Sequence, residues 1–319
     1  MGAKSPLQPF LDQVFDRYHR AVHLGSDPLE FVHRFSNPWD QEVVALVAAQ
    51  LAYGNVRQIR ASVQRWIDLM LAASGSPGRF VREGLTDARV RESASGFVHR
   101  IHRGKDLLAL LDLLAESWRR HGSLGAHLVS RLRATDPDFS GALDGLLEDW
   151  KLWHRARTGA PPSRALQHFL AAPASGSCCK RWCMLLRWMG RKDELDPGLW
   201  QAGSPLLAGL AADAGVRPSQ LVIPLDTHVG QICQFVRLTR RKSLNWSAAL
   251  EITARLKQLD PVDPVRHDFA LARLGILDQC RKRYLPEVCG ACELRPACRH
   301  PLAAGRRATA RRGQTPRTR

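Results

Sequence analysis

The sequence predicts an all-α protein, on three observations. Apolar residues recur at helical spacing in one segment after another. No convincing run alternates apolar and polar residues as a half-buried strand does. Turn-forming residues gather into a few short clusters, as connections between helices require.

Taken in order, Asp40-Gln41-Glu42 opens a helical segment whose Val43, Val44, Val47 and Leu51 fall on one face. Ser74-Gly75-Ser76-Pro77-Gly78 is the first breaker. Leu107, Leu108, Leu111 and Leu114 repeat the helical period, and Gly159-Ala160-Pro161-Pro162 breaks the chain after them. Trp182, Leu185, Leu186 and Met189 repeat it again. Asn245-Trp246-Ser247 precedes an amphipathic stretch of Leu250, Ile252, Leu256 and Leu259. Asp260-Pro261-Val262-Asp263-Pro264 follows as the last breaker. There is no internal repeat.

A chain of 319 residues with 45% hydrophobic content can bury one large core or two modest ones. It has no run of eighteen apolar residues, which argues against a membrane span. Met1-Gly2-Ala3-Lys4-Ser5-Pro6 lacks the apolar core of a signal peptide. Ser5 stands one position too early for the myristoylation pattern. The expectation is a cytoplasmic, nucleoid-associated monomer whose thiols stay reduced.

The formal net charge is +17, so a polyanion is the expected partner. Nucleic acid is the first candidate and an anionic membrane the second. From Arg299 onward there are seven arginines and no acids. This tail reads as a disordered basic segment that adds phosphate affinity or simply solubility.

Four cysteines close the argument from composition. Cys280, Cys289, Cys292 and Cys298 have the spacing C-x8-C-x2-C-x5-C. Four thiols within nineteen residues of a cytosolic chain read as a ligand set. A zinc ribbon brings two C-x2-C knuckles, and only one is present. Uneven arms suit a four-iron four-sulfur cluster, with zinc and disulfides as the alternatives. Cys178, Cys179, Cys183 and Cys233 are too scattered to join them and read as small apolar residues.

The cysteine cluster follows Ile223-Pro224-Leu225-Asp226-Thr227-His228-Val229 by about fifty residues. In order and spacing, the two motifs resemble the endonuclease III-like branch of the helix-hairpin-helix DNA glycosylase superfamily. The chain is closest there to an uncharacterised bacterial branch that carries a domain of unknown function. The resemblance covers about residues 28–60 and 165–300. It implies a two-lobed helical fold, a C-terminal iron-sulfur loop and duplex DNA with a damaged base as partner. It also implies base excision, with cleavage of the abasic site in bifunctional members.

Within that resemblance Asp226 takes the place of the catalytic carboxylate. It also precedes a helical pattern, so a plain N-cap is the competing role, and the two are compatible. Lys180 takes the place of the lysine that attacks the sugar, with Arg181 beside it to favour the neutral amine. A solvated lysine at a helix start is the alternative. Gly176 and Lys180 keep the glycine-to-lysine spacing of the family's hairpin, and Gly176, Ser177 and Arg181 are its expected DNA contacts. Gln50, in Ala48-Ala49-Gln50-Leu51-Ala52-Tyr53-Gly54, matches the glutamine that fills the gap left by an extruded nucleotide. Tyr53 is placed to stack on a base, and His228 to line the pocket.

Two departures stand out. Cys178 occupies the hairpin's second glycine, where a bare backbone would approach a phosphate. The stretch around Arg191-Lys192-Asp193-Glu194-Leu195-Asp196 lengthens the path from Lys180 to Asp226 and must loop out if they share a pocket. The expected organisation is an N-terminal helical part (1–80), an inserted helical segment (81–164), a catalytic part (165–279), a cluster loop (280–302) and the basic tail (303–319). The expected function is a DNA repair glycosylase with abasic-site lyase activity. A non-catalytic iron-sulfur or zinc DNA-binding protein is the rival.

Overall fold

Asparagine, serine and aspartate side chains cap eight of the fourteen α-helices among the described residues. The computed structural model describes residues 6–300. The first half of the chain forms α1 (Gln8–Tyr18), α2 (Pro38–Leu51), α3 (Val56–Ser74), α4 (Pro77–Glu83) and α5 (Ala88–Ser95). A two-residue hairpin follows, β1 (Val98–His99) paired antiparallel with β2 (His102–Arg103). Then come α6 (Gly104–His121), α7 (Leu124–Val129), α8 (Ser140–Thr158) and α9 (Arg164–Phe169). The second half carries α10 (Lys180–Gly190), α11 (Thr227–Phe235), α12 (Trp246–Lys257), α13 (Asp268–Ile276) and α14 (Pro286–Cys289). The protein is mostly helical, as the periodicity predicts. The hairpin is too short to leave an alternating pattern.

Asn37 starts α2 by accepting the Trp39 and Asp40 amides, with Pro38 pre-set for the first turn. The sequence places one apolar face on this helix. In the structure every residue from Glu42 to Leu51 is buried. Alanines 45, 48 and 49 are the reason. They let α3, α4, α10 and the 28–34 turn approach from several sides. No helix among the described residues is long and apolar enough to cross a membrane.

The segment read as an insertion, 81–164, packs closely onto the rest. Its α6 lies against α4 and α9, and α7 lies against the 205–207 turn. Glu42 of α2 ties the two together. Its carboxylate accepts Trp118 Nε1 (2.6 Å), Trp200 Nε1 (2.8 Å), the Gly125 amide (2.9 Å) and the Leu124 amide (3.0 Å). Burial still raises its affinity for a proton, against the pull of the four donors.

The stretch from Arg191 to Asp196 does not loop out. Arg191 and Asp196 are buried, and their ion pair is 2.5 Å long. Arg191 also meets Asp193 (3.2 Å) and Asp263 (3.4 Å). A charge network of this kind keeps a helix-free connection against the core, because leaving one partner alone there is costly.

A candidate active site in a polar cleft

Asp226 ends an extended segment and caps α11. Its Oδ1 accepts the His228 amide at 2.8 Å and the Val229 amide at 2.9 Å. That leaves Oδ2 for Lys180 Nζ, 3.3 Å away. Lys180 is the first residue of α10, just after Cys179 in the left-handed region (φ 47°). Its amine also donates to the Ala52 carbonyl at the end of α2 (3.4 Å). Burial disfavours the Asp226 carboxylate, but the Lys180 charge, the Val229 amide and His228 outweigh it. The group stays below the usual carboxylate range and is ionised at neutral pH.

Both side chains line a solvent-open cleft walled by residues from α3, α10, α11 and α13. Its floor is built of ion pairs. Arg187 Nη1 meets Asp268 Oδ2 at 2.6 Å, and Arg273 Nη2 meets Asp27 Oδ2 at 2.7 Å. Phe269 packs beneath both guanidiniums, with its ring centroid 5.7 Å from Arg187 and 4.3 Å from Arg273. Burial pushes the Asp268 carboxyl up to about 6, although Arg187 opposes it. Asp27 goes the other way. Burial raises it, but Arg273 and Arg187 together hold it low.

The family model described as a protein of unknown function (DUF2400) matches residues 27–277. The chain belongs to the DUF2400 family. The matched span takes in every cleft residue named so far and stops three residues before Cys280. The searches of curated proteins and of solved structures gave no match.

The DUF2400 cleft brings together Lys180, Asp226 and His228. The His228 ring is tucked against Gly275, where an added Cβ would lie 2.8 Å from it, and its Nδ1 has no partner. Two other residues expected at DNA face inward. Gln50 is fully buried, with both atoms of its amide unpartnered. A side chain in that position is not presented to fill a gap in a duplex. Arg181 is 9% exposed and donates to the Gln50 carbonyl (3.2 Å) and to the His168 carbonyl. Its charge is spent on the last carbonyls of two helices, which carry partial negative charge.

Tyr53 lines the cleft but is also tied down. Its hydroxyl hydrogen-bonds His102 Nδ1, whose Nε2 donates to the Ala165 carbonyl (3.0 Å). Arg181 sits over its ring at 5.4 Å. Burial takes the Tyr53 hydroxyl up to about 12 and the His102 ring down to about 3, so this network is neutral near pH 7. Gly176 and Ser177 form an open turn before α10. Gly176 sits at φ 77° with no atom within 4 Å of an added Cβ, and Ser177 Oγ accepts the Cys179 amide (3.2 Å).

Sequence reasoning missed Asp27, Arg187, Asp268 and Arg273. Arg187 left one signal, a charge two turns after Lys180 in an otherwise apolar helix face. The others are single charged residues whose partners lie far away in the chain.

Cys280, Cys289, Cys292 and Cys298 all line one other cavity, with Ile232 and Leu274 in its wall. The Leu285 amide points at Cys289 Sγ (3.5 Å). Among the described residues no group of three or more His, Cys, Asp or Glu side chains is placed to hold a single metal ion. Cys179, Cys183 and Cys233 lie in the hydrophobic core and Cys178 packs against it. The arginines after Arg299 in the tail lie outside the described residues.

Proposed function

We propose that this protein is a DNA glycosylase that takes an extruded base into the polar cleft, with Lys180 and Asp226 at the sugar. One observation carries the reading. An amine and an ionised carboxylate far apart in the chain meet at 3.3 Å in a cleft that opens to solvent. Asp226 would stabilise the positive charge that develops on the sugar as the C1′–N bond breaks. Its cap bonds fix its direction before substrate arrives. Lys180, once deprotonated, would form a bond to C1′ while the electron pair of the broken bond leaves with the base. Loss of an amine proton and opening of the C1′–O4′ bond, with O4′ taking up a proton, would then give an imine that permits strand cleavage.

The deciding experiment is a panel of duplexes with single damaged bases, incubated with and without borohydride. Excision of at least one base, with a trapped covalent complex, supports a bifunctional enzyme. No excision anywhere, with duplex binding intact, would make the protein a binding module.

Cys280, Cys289, Cys292 and Cys298 would hold a four-iron four-sulfur cluster. The support is that all four cysteines line one cavity, and their uneven spacing suits a cluster. The cluster would brace the loop that carries Arg281, Arg283 and Arg299, which are exposed. Protein purified under nitrogen should contain about four irons per chain, and Cys289→Ser should lose them. Stoichiometric zinc without iron would sink the idea.

The charge of +17 predicts duplex affinity that falls steeply with salt as arginines and lysines displace counterions. Deleting residues 303–319 removes six arginines and should flatten the log–log slope by up to about five, at 0.9 per contact. Lesion preference should survive the deletion. Its loss would assign recognition to the tail.

A further inference from the structure

Asp268 stands at the start of α13 and lines the same cleft as Asp226, yet the chemistry proposed above leaves it without a task. It is 3% exposed. Its Oδ2 is taken by Arg187 at 2.6 Å. Its Oδ1 is buried and has no hydrogen-bond partner. An ionised carboxylate can only accept hydrogen bonds, so the vacant oxygen suits an N–H or O–H donor and repels a second acceptor. A buried acceptor left unfilled is costly, and native structures rarely keep one without a use. The other carboxylate of the cleft floor behaves differently. Both Asp27 oxygens are occupied, by the Leu29 amide (3.0 Å) and by Arg273 (2.7 Å).

We propose that Asp268 reads the base. Its free Oδ1 accepts a hydrogen bond from an exocyclic amino group on the nucleobase held in the cleft. This rests on the glycosylase reading and deepens it, because it names the substrate class. The recess of Asp268 favours an amino group over a ring N–H, since only a group projecting from the ring reaches an oxygen set back in the wall. Deamination puts a carbonyl oxygen at that same position. Two acceptors would then face each other in a dry site, and the deaminated base would be rejected. Arg187 does not relieve this, because its contact holds the other carboxylate oxygen.

The test compares amino-bearing bases with their deaminated counterparts, each in the same duplex context, and measures a ratio. A ratio taken on one preparation is insensitive to how much of that preparation is folded. Wild type should remove the amino-bearing member at least about 10²-fold faster, since a site built around a substrate N–H discriminates strongly against its loss. Asp268→Asn should reverse the preference. The Asn oxygen stays with Arg187, so its amide nitrogen faces the cleft and donates where the aspartate accepted. The same pairs on 2′-fluorinated sugars, which resist cleavage, report binding alone, and there the preference should be about tenfold. If wild type excises nothing, the glycosylase reading fails. The Asp268 assignment then stands or falls on the binding ratio and its reversal in Asp268→Asn. Equal handling of both members by wild type, or a ratio that Asp268→Asn leaves unmoved, overturns the assignment even when excision is robust.

Discussion

Asp226→Asn is expected to slow base excision by about 10²–10⁴-fold while leaving the fold intact. The two effects separate because Asp226 does two jobs with two oxygens. Oδ1 caps α11 through the His228 and Val229 amides, and asparagine caps helices as well as aspartate. Oδ2 faces Lys180, and only there is the negative charge lost. Urea titration should therefore place the variant within about 1 kcal/mol of wild type. Lys180→Gln supplies the second half of the result. It should abolish borohydride trapping on every lesion that wild type removes. If the variant still excises without trapping, water takes over the displacement. If wild type excises but never traps, Lys180 positions Asp226 and water is the nucleophile throughout. An Asp226→Asn enzyme with unchanged rate would remove the carboxylate from the mechanism.

Glu42→Ala is expected to cost about 3–5 kcal/mol of folding stability, most of the margin of an ordinary domain. Four N–H groups converge on this carboxylate, two from indoles and two from the first turn of α7. Alanine leaves all four buried without an acceptor and opens a cavity beside Trp118 and Trp200. Glu42→Gln should also destabilise, since its NH₂ would point at N–H donors that need an oxygen. The exposed pair Glu148–Lys151 is the control. Glu148→Ala should shift the urea midpoint by less than about 0.5 kcal/mol equivalent. A Glu42→Ala protein within 1 kcal/mol of wild type would show that 81–164 is not held to the body through this residue.

Glu42 also shows where sequence reading stops. As the third residue of Asp40-Gln41-Glu42 it looks like an ordinary acidic first-turn residue of a helix. Its partners are 76 to 158 positions away. Nothing local to α2 says that tryptophans will meet it. The same holds for Gln50 and Arg181, whose neighbours in sequence suggest a DNA-facing surface and whose neighbours in space are core and helix ends.

What the amino-acid sequence by itself determined is whatever depends on neighbours a few positions apart. The helical class follows from a 3.6-residue period, and the α11 start from a carboxylate two and three residues before the amides it caps. The common face of the four C-terminal thiols follows from spacings within nineteen residues. Only tertiary structure decided the rest. Asp27 met Arg273, Arg187 met Asp268, and Lys180 met Asp226 because packing of apolar faces brought α3, α10, α11 and α13 around one cleft. Apolar burial is non-directional. It selects which faces go inward without naming their partners, so the pairing of buried charges is settled by the packed arrangement as a whole.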